Sequence, residues 1–261
     1  MKAAASAAGT IRAVTGSGVR RISLANPPLN VLTTEMLNEL ADAVNTVDAD
    51  THAKVLLLTG EGPRAFCAGV DVVDHTPDRV HEMIHAFARA VAAILDAKVP
   101  VVAALNGAAL GGGFELALAC DIVLARDGVS VGQPEIRLGV FPPVAAVLLP
   151  RLVGRQAALD LILTGRMIQA EEARALGLVA ATFPADSFEE RVDGYVHHLA
   201  GQSAPVLRLA KRAVNAGAER TLAQALREAD RIYLEELMAL HDSHEGLAAF
   251  MEKRLPAWRD A

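Results

Sequence analysis

Aromatic residues, cysteines and positive charge are all scarce in this sequence. Phe, Tyr and Trp make up 4% of the 261 residues, with a single Trp. An interior with so few rings must be packed from Ala, Val and Leu, which suits close helices and buried strands better than an all-β sandwich. The only cysteines, Cys67 and Cys120, sit among small apolar neighbours (AFCAG and LALACD). With no CxxC and no Cys/His metal spacing, they read as buried thiols in a reducing compartment. The formal net charge of −6 argues against a general nucleic-acid binder, whose surface must neutralise phosphates. A local cluster of Lys and Arg can still hold a small anion. No apolar run approaches the roughly 20 residues of a membrane span, and the Ala-rich start MKAAASAAGT lacks a strongly apolar signal-peptide stretch. The expectation is a soluble cytoplasmic chain with no nucleic-acid and no membrane partner.

What is present points to a large packed core. Hydrophobic residues are 52% of the chain and charged residues 21%, a balance that favours folding over disorder. The length suits one large domain, or a core with a smaller appendage. IRAVTG and VRRISLAN flank a Gly-containing turn and predict a hairpin over 11–26. Thr33 or Thr34 can cap a helix running to about residue 47. KVLLLT at 54–59 and the run at 101–104 are continuously apolar, as strands buried on both faces are. A helical pattern follows Pro77, and another starts at the glycine run 111–113 and ends near Cys120. Strands and helices thus alternate over the first 140 residues, an α/β pattern. After Pro142 the pattern is almost wholly helical, at 143–163, 170–176, 186–200, 204–217 and 220–254, with one short strand near 178–182. A soft boundary near residue 195 divides a core, 1–195, from a helical C-terminal region, 196–261.

Three segments carry chemistry. In NGAALGGGFELALACD, Gly111, Gly112 and Gly113 follow a buried strand and open a helix. The first N–H groups of such a helix have no intrahelical acceptor, and together with the positive end of the helix dipole they form an anion site. No GK[ST] follows and GxGxxG spacing is absent, so this is neither a Walker loop nor a dinucleotide fingerprint. A tight turn packed on a neighbour would look the same. Glu115 sits one turn into that helix among Phe114, Leu116 and Ala117, where an unused carboxylate is costly. It is a candidate acid or base. In VGQPEIRLGVFPP, Pro134 pre-sets a helix start and Glu135 falls in its first turn; alone it would be structural. In RAFCAGVDVVDH, small residues after a strand suggest exposed backbone donors, and Arg64 could meet a phosphate or simply be solvated. His81 and His85 lie four apart without a third ligand, so no metal is expected.

Taken together, NPPLNVLTTEML, RAFCAGVDV, NGAALGGGFELALACDIVLA, VGQPEIRLGV, LTGRMIQAEEARALGLV and FMEKRLPAW resemble the crotonase family, the enoyl-CoA hydratases and isomerases, over nearly the whole chain. The resemblance implies a spiral of ββα turns with a helical C-terminal region that forms a homotrimer or a dimer of trimers. It implies an acyl-CoA thioester as substrate, with coenzyme A part of it and no separate cofactor. Carried over by motif, an oxyanion hole is formed by the backbone N–H groups of Val70 and Gly112, and the catalytic pair is Glu115 and Glu135. Glu115 holds and activates the water and Glu135 gives a proton to the α-carbon. The thioester and CoA arm run along Ala65, Ala68, Val70, Asp71, Val72 and Gly111, with Arg64 and Lys253 as candidates for the CoA phosphates.

Two stretches depart from common hydratases. After the second glutamate the chain reads Phe141-Pro142-Pro143-Val144-Ala145-Ala146, without the usual glycines. After Asp71 it reads VVDHTP in place of a Lys-Glu-Met type sequence. Both border the expected acyl pocket and make His75, Phe141 and Pro142 candidate pocket residues. This combination looks like the subgroup that hydrates cyclic dienoyl-CoA esters. Straight-chain hydration, double-bond isomerisation and, more remotely, a non-catalytic binding module on the same fold stay open on the sequence alone.

Overall fold

The computed structural model describes residues 10–218 and 220–261; the Ala-rich tip 1–9 lies outside them. The predicted hairpin is β1 (Ile11–Gly16) and β2 (Val19–Leu24), paired antiparallel. Helix α1 (Thr34–Asn45) follows, capped by the Thr33 hydroxyl, which accepts the Met36 N–H; its buried face is Met36, Leu37, Leu40, Ala41 and Val44.

The chain then repeats one move three times: a strand of a large sheet, a short strand of a second sheet, and a helix. The first turn is β3 (Val55–Gly60), β4 (Ala65–Cys67) and α2 (Val80–Asp96). The second is β5 (Val101–Leu105), β6 (Ala108–Leu110) and α3 (Gly112–Ala119). The third is β7 (Ile122–Arg126), β8 (Ser130–Gly132) and, after a single 3-10 turn at Pro134–Leu138, α4 (Pro143–Thr164). Next come β9 (Met167–Gln169), α5 (Ala170–Ala175), β10 (Ala181–Phe183) and α6 (Phe188–Ala200). The large sheet has the order β1-β2-β3-β5-β7-β10 and is parallel from β2 onward. The second sheet has the order β4-β6-β8-β9 and is parallel except at β8 and β9. The chain therefore forms the expected α/β spiral of ββα turns.

The continuous apolar runs explain why the large sheet is parallel and covered on both sides. Leu56, Leu58, Val101, Ala103 and Leu105 face the main core under α1, α2 and α3. The opposite face, Val55, Leu57, Val102, Ala104 and Leu124, is covered by Phe188, Val192, Val196 and Ala200 of α6. Residue 195 thus lies within a helix that closes the sheet.

The C-terminal region is α7 (Ala204–Ala216), α8 (Leu222–Arg231) and α9 (His241–Glu252). Periodicity predicts a continuous helix over 220–254, and the structure breaks it. A π turn at Ile232–Glu236 and a 3-10 turn at Leu237–Ala239 lead to an extended Leu240. The break turns Asp242 inward, where it is buried and accepts the N–H groups of Arg259 and Asp260, both at 2.9 Å. Burial alone would raise this carboxyl, but those N–H donors, with Ser203 and His241, outweigh it and hold its pKa down to about 2. A tertiary clasp on the tail has overridden local helix propensity.

Candidate functional site

The turn from β6 into α3 is glycine because nothing larger fits. Gly111 has φ 52°, and a Cβ there would lie 2.6 Å from Glu135 Oε1. A Cβ on Gly113 would lie 2.3 Å from the Cys67 carbonyl oxygen. Since the obstacle is backbone, the turn cannot yield by rotating a side chain. Gly113→Ala is expected to lower stability by about 3 kcal/mol, the upper end of ordinary overpacking. A urea midpoint equal to that of the wild type would contradict this packing.

This turn lies against the loop that follows β4. An isolated bridge pins that loop to the segment before α1: Leu32 N–H donates to the Gly69 carbonyl and Asp71 N–H to the Leu32 carbonyl, both at 2.9 Å. A Cβ on Gly69 would stand 3.8 Å from the Gly112 nitrogen, so the two loops touch. Among the described residues, neither the Val70 N–H nor the Gly112 N–H finds an acceptor. Gly112 is the first residue of α3, where no intrahelical partner exists. Both residues line one cavity of about 500 Å³.

Glu115 also lines this cavity. It is 3% exposed, and its Oε1 accepts the Ala145 N–H at 2.7 Å. Burial pushes its pKa up to about 7; the Ala145 N–H works against the rise, and the charge of Glu135 adds to it. Glu135 enters from the 3-10 turn at Pro134–Leu138 and is half-buried. Burial raises its pKa as well, while its own backbone N–H and the charge of His75 pull it down. The amide of the buried Gln133, with its nitrogen toward Glu135, donates to Oε1 at 3.1 Å and lies 3.2 Å from Oε2. Two carboxyl groups of raised pKa therefore share a chamber with two unengaged backbone donors.

A larger hollow of about 650 Å³ lies between the end of α2 and α7. It offers no such set, because Lys211 pairs with Asp121 at 2.6 Å and Arg212 pairs with Glu236.

The profile of the enoyl-CoA hydratase/isomerase family matches residues 14–261. The chain belongs to this family. Cyclohexa-1,5-dienecarbonyl-CoA hydratase of Thauera aromatica is 38% identical over 240 residues, covering 92% of each chain. A probable enoyl-CoA hydratase of Rhizobium meliloti is 39% identical over 248 residues, 94% of this chain and 96% of the relative. Among solved structures, the enoyl-CoA hydratase from Bacillus anthracis superposes with a TM-score of 0.93 at 34% identity, covering 97% of this chain and 100% of the other. The crotonase resemblance in the sequence and the α/β spiral with its helical C-terminal region both agree with these matches.

Ten of the residues singled out in the sequence line the cavity between the two loops: Ala68, Val70, Val72, His75, Gly111, Gly112, Glu115, Glu135, Phe141 and Pro142. Four do not. Arg64 is exposed in the loop before β4. Ala65 is fully buried, its carbonyl accepting from Asn30 at 2.9 Å. Asp71 uses its carboxylate to cap the 3-10 turn at Val72–His75, accepting the Val73 N–H at 3.0 Å. Lys253 is exposed at the end of α9. Sequence reasoning missed the wall formed by Val80, Met83, Ile84 and Phe87 of α2, and the Ala145 N–H that holds Glu115. Cys67 is buried as expected and Cys120 is half-buried. His81 and His85 are exposed on α2, and no metal-ligand cluster occurs among the described residues.

Proposed function

We propose that the protein is an enoyl-CoA hydratase. The observation that carries this reading is the meeting of Glu115, Glu135 and the free N–H groups of Val70 and Gly112 around one cavity. Adding water across a 2-enoyl thioester builds negative charge on the thioester oxygen. Two preorganised N–H donors, one at a helix start, stabilise that enolate. Glu115, with its pKa near 7, holds the water and takes its proton as oxygen bonds to the β-carbon. A proton donor is needed at the α-carbon, and Glu135, whose pKa burial raises, supplies it. Hydration is redox-neutral, and these groups suffice for it without a cofactor beyond the coenzyme A of the substrate. Two carboxyl groups favour hydration over isomerisation, which often needs only one.

The acyl group has a second reading. The apolar rim of Val72, Leu138, Val140 and Phe141 and the VVDHTP stretch suit a cyclic dienoyl group, as the name of the Thauera relative suggests. Absorbance assays with crotonyl-CoA beside a cyclic dienoyl-CoA test both: loss of the conjugated thioester band with either supports hydration, and the faster one names the acyl class. Activity on neither, with a double-bond shift on a 3-enoyl-CoA, would replace hydratase by isomerase.

The same reading places the protein in the cytoplasm as a homotrimer or dimer of trimers. Exposed Leu222, Leu234, Phe250 and Leu255 on the helical C-terminal region offer an apolar surface for self-association. Among the described residues no helix is long and apolar enough to cross a membrane. Arg64 and Lys253 keep their proposed role at the CoA phosphates, with Ala65 and Asp71 shaping the loop beside the thioester.

A further inference from the structure

His75 is the one ionisable side chain of the cavity, besides Glu115 and Glu135, that the reaction above leaves without a role. The turn that carries it is anchored from two sides. The Asp71 carboxylate caps its turn. The buried Asp74 accepts the N–H and the hydroxyl of Thr34, both at 3.1 Å, and pairs with Arg79 at 3.4 Å, tying the turn to the start of α1. The ring is fixed as well, with Nδ1 3.0 Å from the Asp71 carbonyl oxygen. A carbonyl only accepts, so Nδ1 carries a hydrogen and Nε2 is the working nitrogen. The carboxylates of its own turn, Asp71 and Asp74, are engaged with Val73, Thr34 and Arg79. Across the cavity Glu115 is held by Ala145. Glu135 is the carboxyl on which the charge of His75 acts.

We propose that His75 is the proton relay that reloads Glu135 from solvent between turnovers. The inference rests on the reading of Glu135 as the proton donor. Each hydration leaves Glu115 holding the proton of the water and Glu135 an ionised carboxylate, so the site must be reset. His75 is half-buried, between the exposed Val72, Val73 and Thr76 and the cavity, and an imidazole can both give and take up a proton. The Nε2–H bond of the imidazolium breaks, an O–H bond forms on Glu135, and the neutral ring takes its next proton from water. Glu115 returns its proton to solvent, and no net charge or electron is transferred.

The test uses full-length His75→Ala and His75→Gln with whichever thioester the enzyme hydrates, and circular dichroism to check the fold. Direct general acids contribute about 10²–10⁴-fold; because water can partly bypass a relay, kcat is expected to fall about tenfold. KM should stay unchanged, the loss should deepen as pH rises, and added imidazole should restore His75→Ala. Wild-type kcat across the pH range, or a joint change in kcat and KM that imidazole leaves untouched, would overturn the relay. Glu135→Gln separates the two failures: full activity there removes the donor role itself, and the relay with it.

Discussion

Glu115→Gln is expected to lower hydration turnover by about 10³-fold, within the range for a positioned acid or base, while giving a protein more stable than the wild type at pH 8. Both effects come from the same burial. The carboxyl is 3% exposed among apolar residues of α3, and its pKa stands near 7 against an ordinary 4.5. Between those values the folded chain binds a proton that the unfolded chain has released, so stability falls as pH rises. The loss is complete above about pH 7 and amounts to roughly 3 kcal/mol, because a tenfold change in proton affinity is worth about 1.4 kcal/mol. Gln keeps the shape and can still accept the Ala145 N–H, but it has no charge to bury. Urea unfolding at pH 5 and pH 8 reads the difference, which should be small at pH 5 and largest at pH 8. A variant less stable than the wild type at pH 8 would refute the account.

The same carboxyl shapes the pH dependence of the rate. A base must be ionised, so kcat/KM should rise with pH through about 7. Glu135 must start protonated, so the rate should fall again once that proton is lost; burial raises its pKa, while its own backbone N–H and the charge of His75 pull it down. The rising limb should vanish in Glu115→Gln.

Much of this site is legible in the chain, for physical reasons that stop at identifiable places. Strands β3 and β5 announce themselves because burial on both faces demands an unbroken apolar run. The glycine run, Glu115 and Glu135 stand out because each is expensive or unusual where it sits. The second sheet does not, since strands of three residues such as Ala65–Cys67 and Ala108–Leu110 are too short to show a period. The α2 wall is hidden for another reason. Val80, Met83, Ile84 and Phe87 follow i, i+3, i+4, i+7 spacing, the pattern any core-facing helix shows, and nothing in it separates a cavity wall from plain packing. The Ala145 N–H that holds Glu115 belongs to a backbone, and backbone donors carry no residue-type signature. The break at Leu240 depends on the tail that Asp242 clasps, a contact between residues 17 and 18 positions apart.

Gly112→Pro isolates the other half of the site, the donor that faces the thioester oxygen. Proline at the first position of a helix removes an N–H that the helix itself does not use, so α3 should persist. Gly111, with φ 52° and ψ −130°, has the mirror image of the extended conformation that a residue before proline favours, and glycine holds it without strain. The new ring still brings a Cβ 2.9 Å from Val70 Cγ2 and 3.0 Å from Phe87 Cε2, so Gly112→Ala is the necessary partner variant: it adds that atom and keeps the N–H. Any loss shared by both variants measures crowding. The further loss in Gly112→Pro measures the hydrogen bond to the enolate, expected at about 3–4 kcal/mol, or about 10²–10³-fold in kcat. KM should move little between the two, because the developing oxyanion needs the donor far more than the ground-state carbonyl does. Equal kcat values in the Pro and Ala variants would remove Gly112 from the oxyanion hole and leave Val70 as its sole proposed donor.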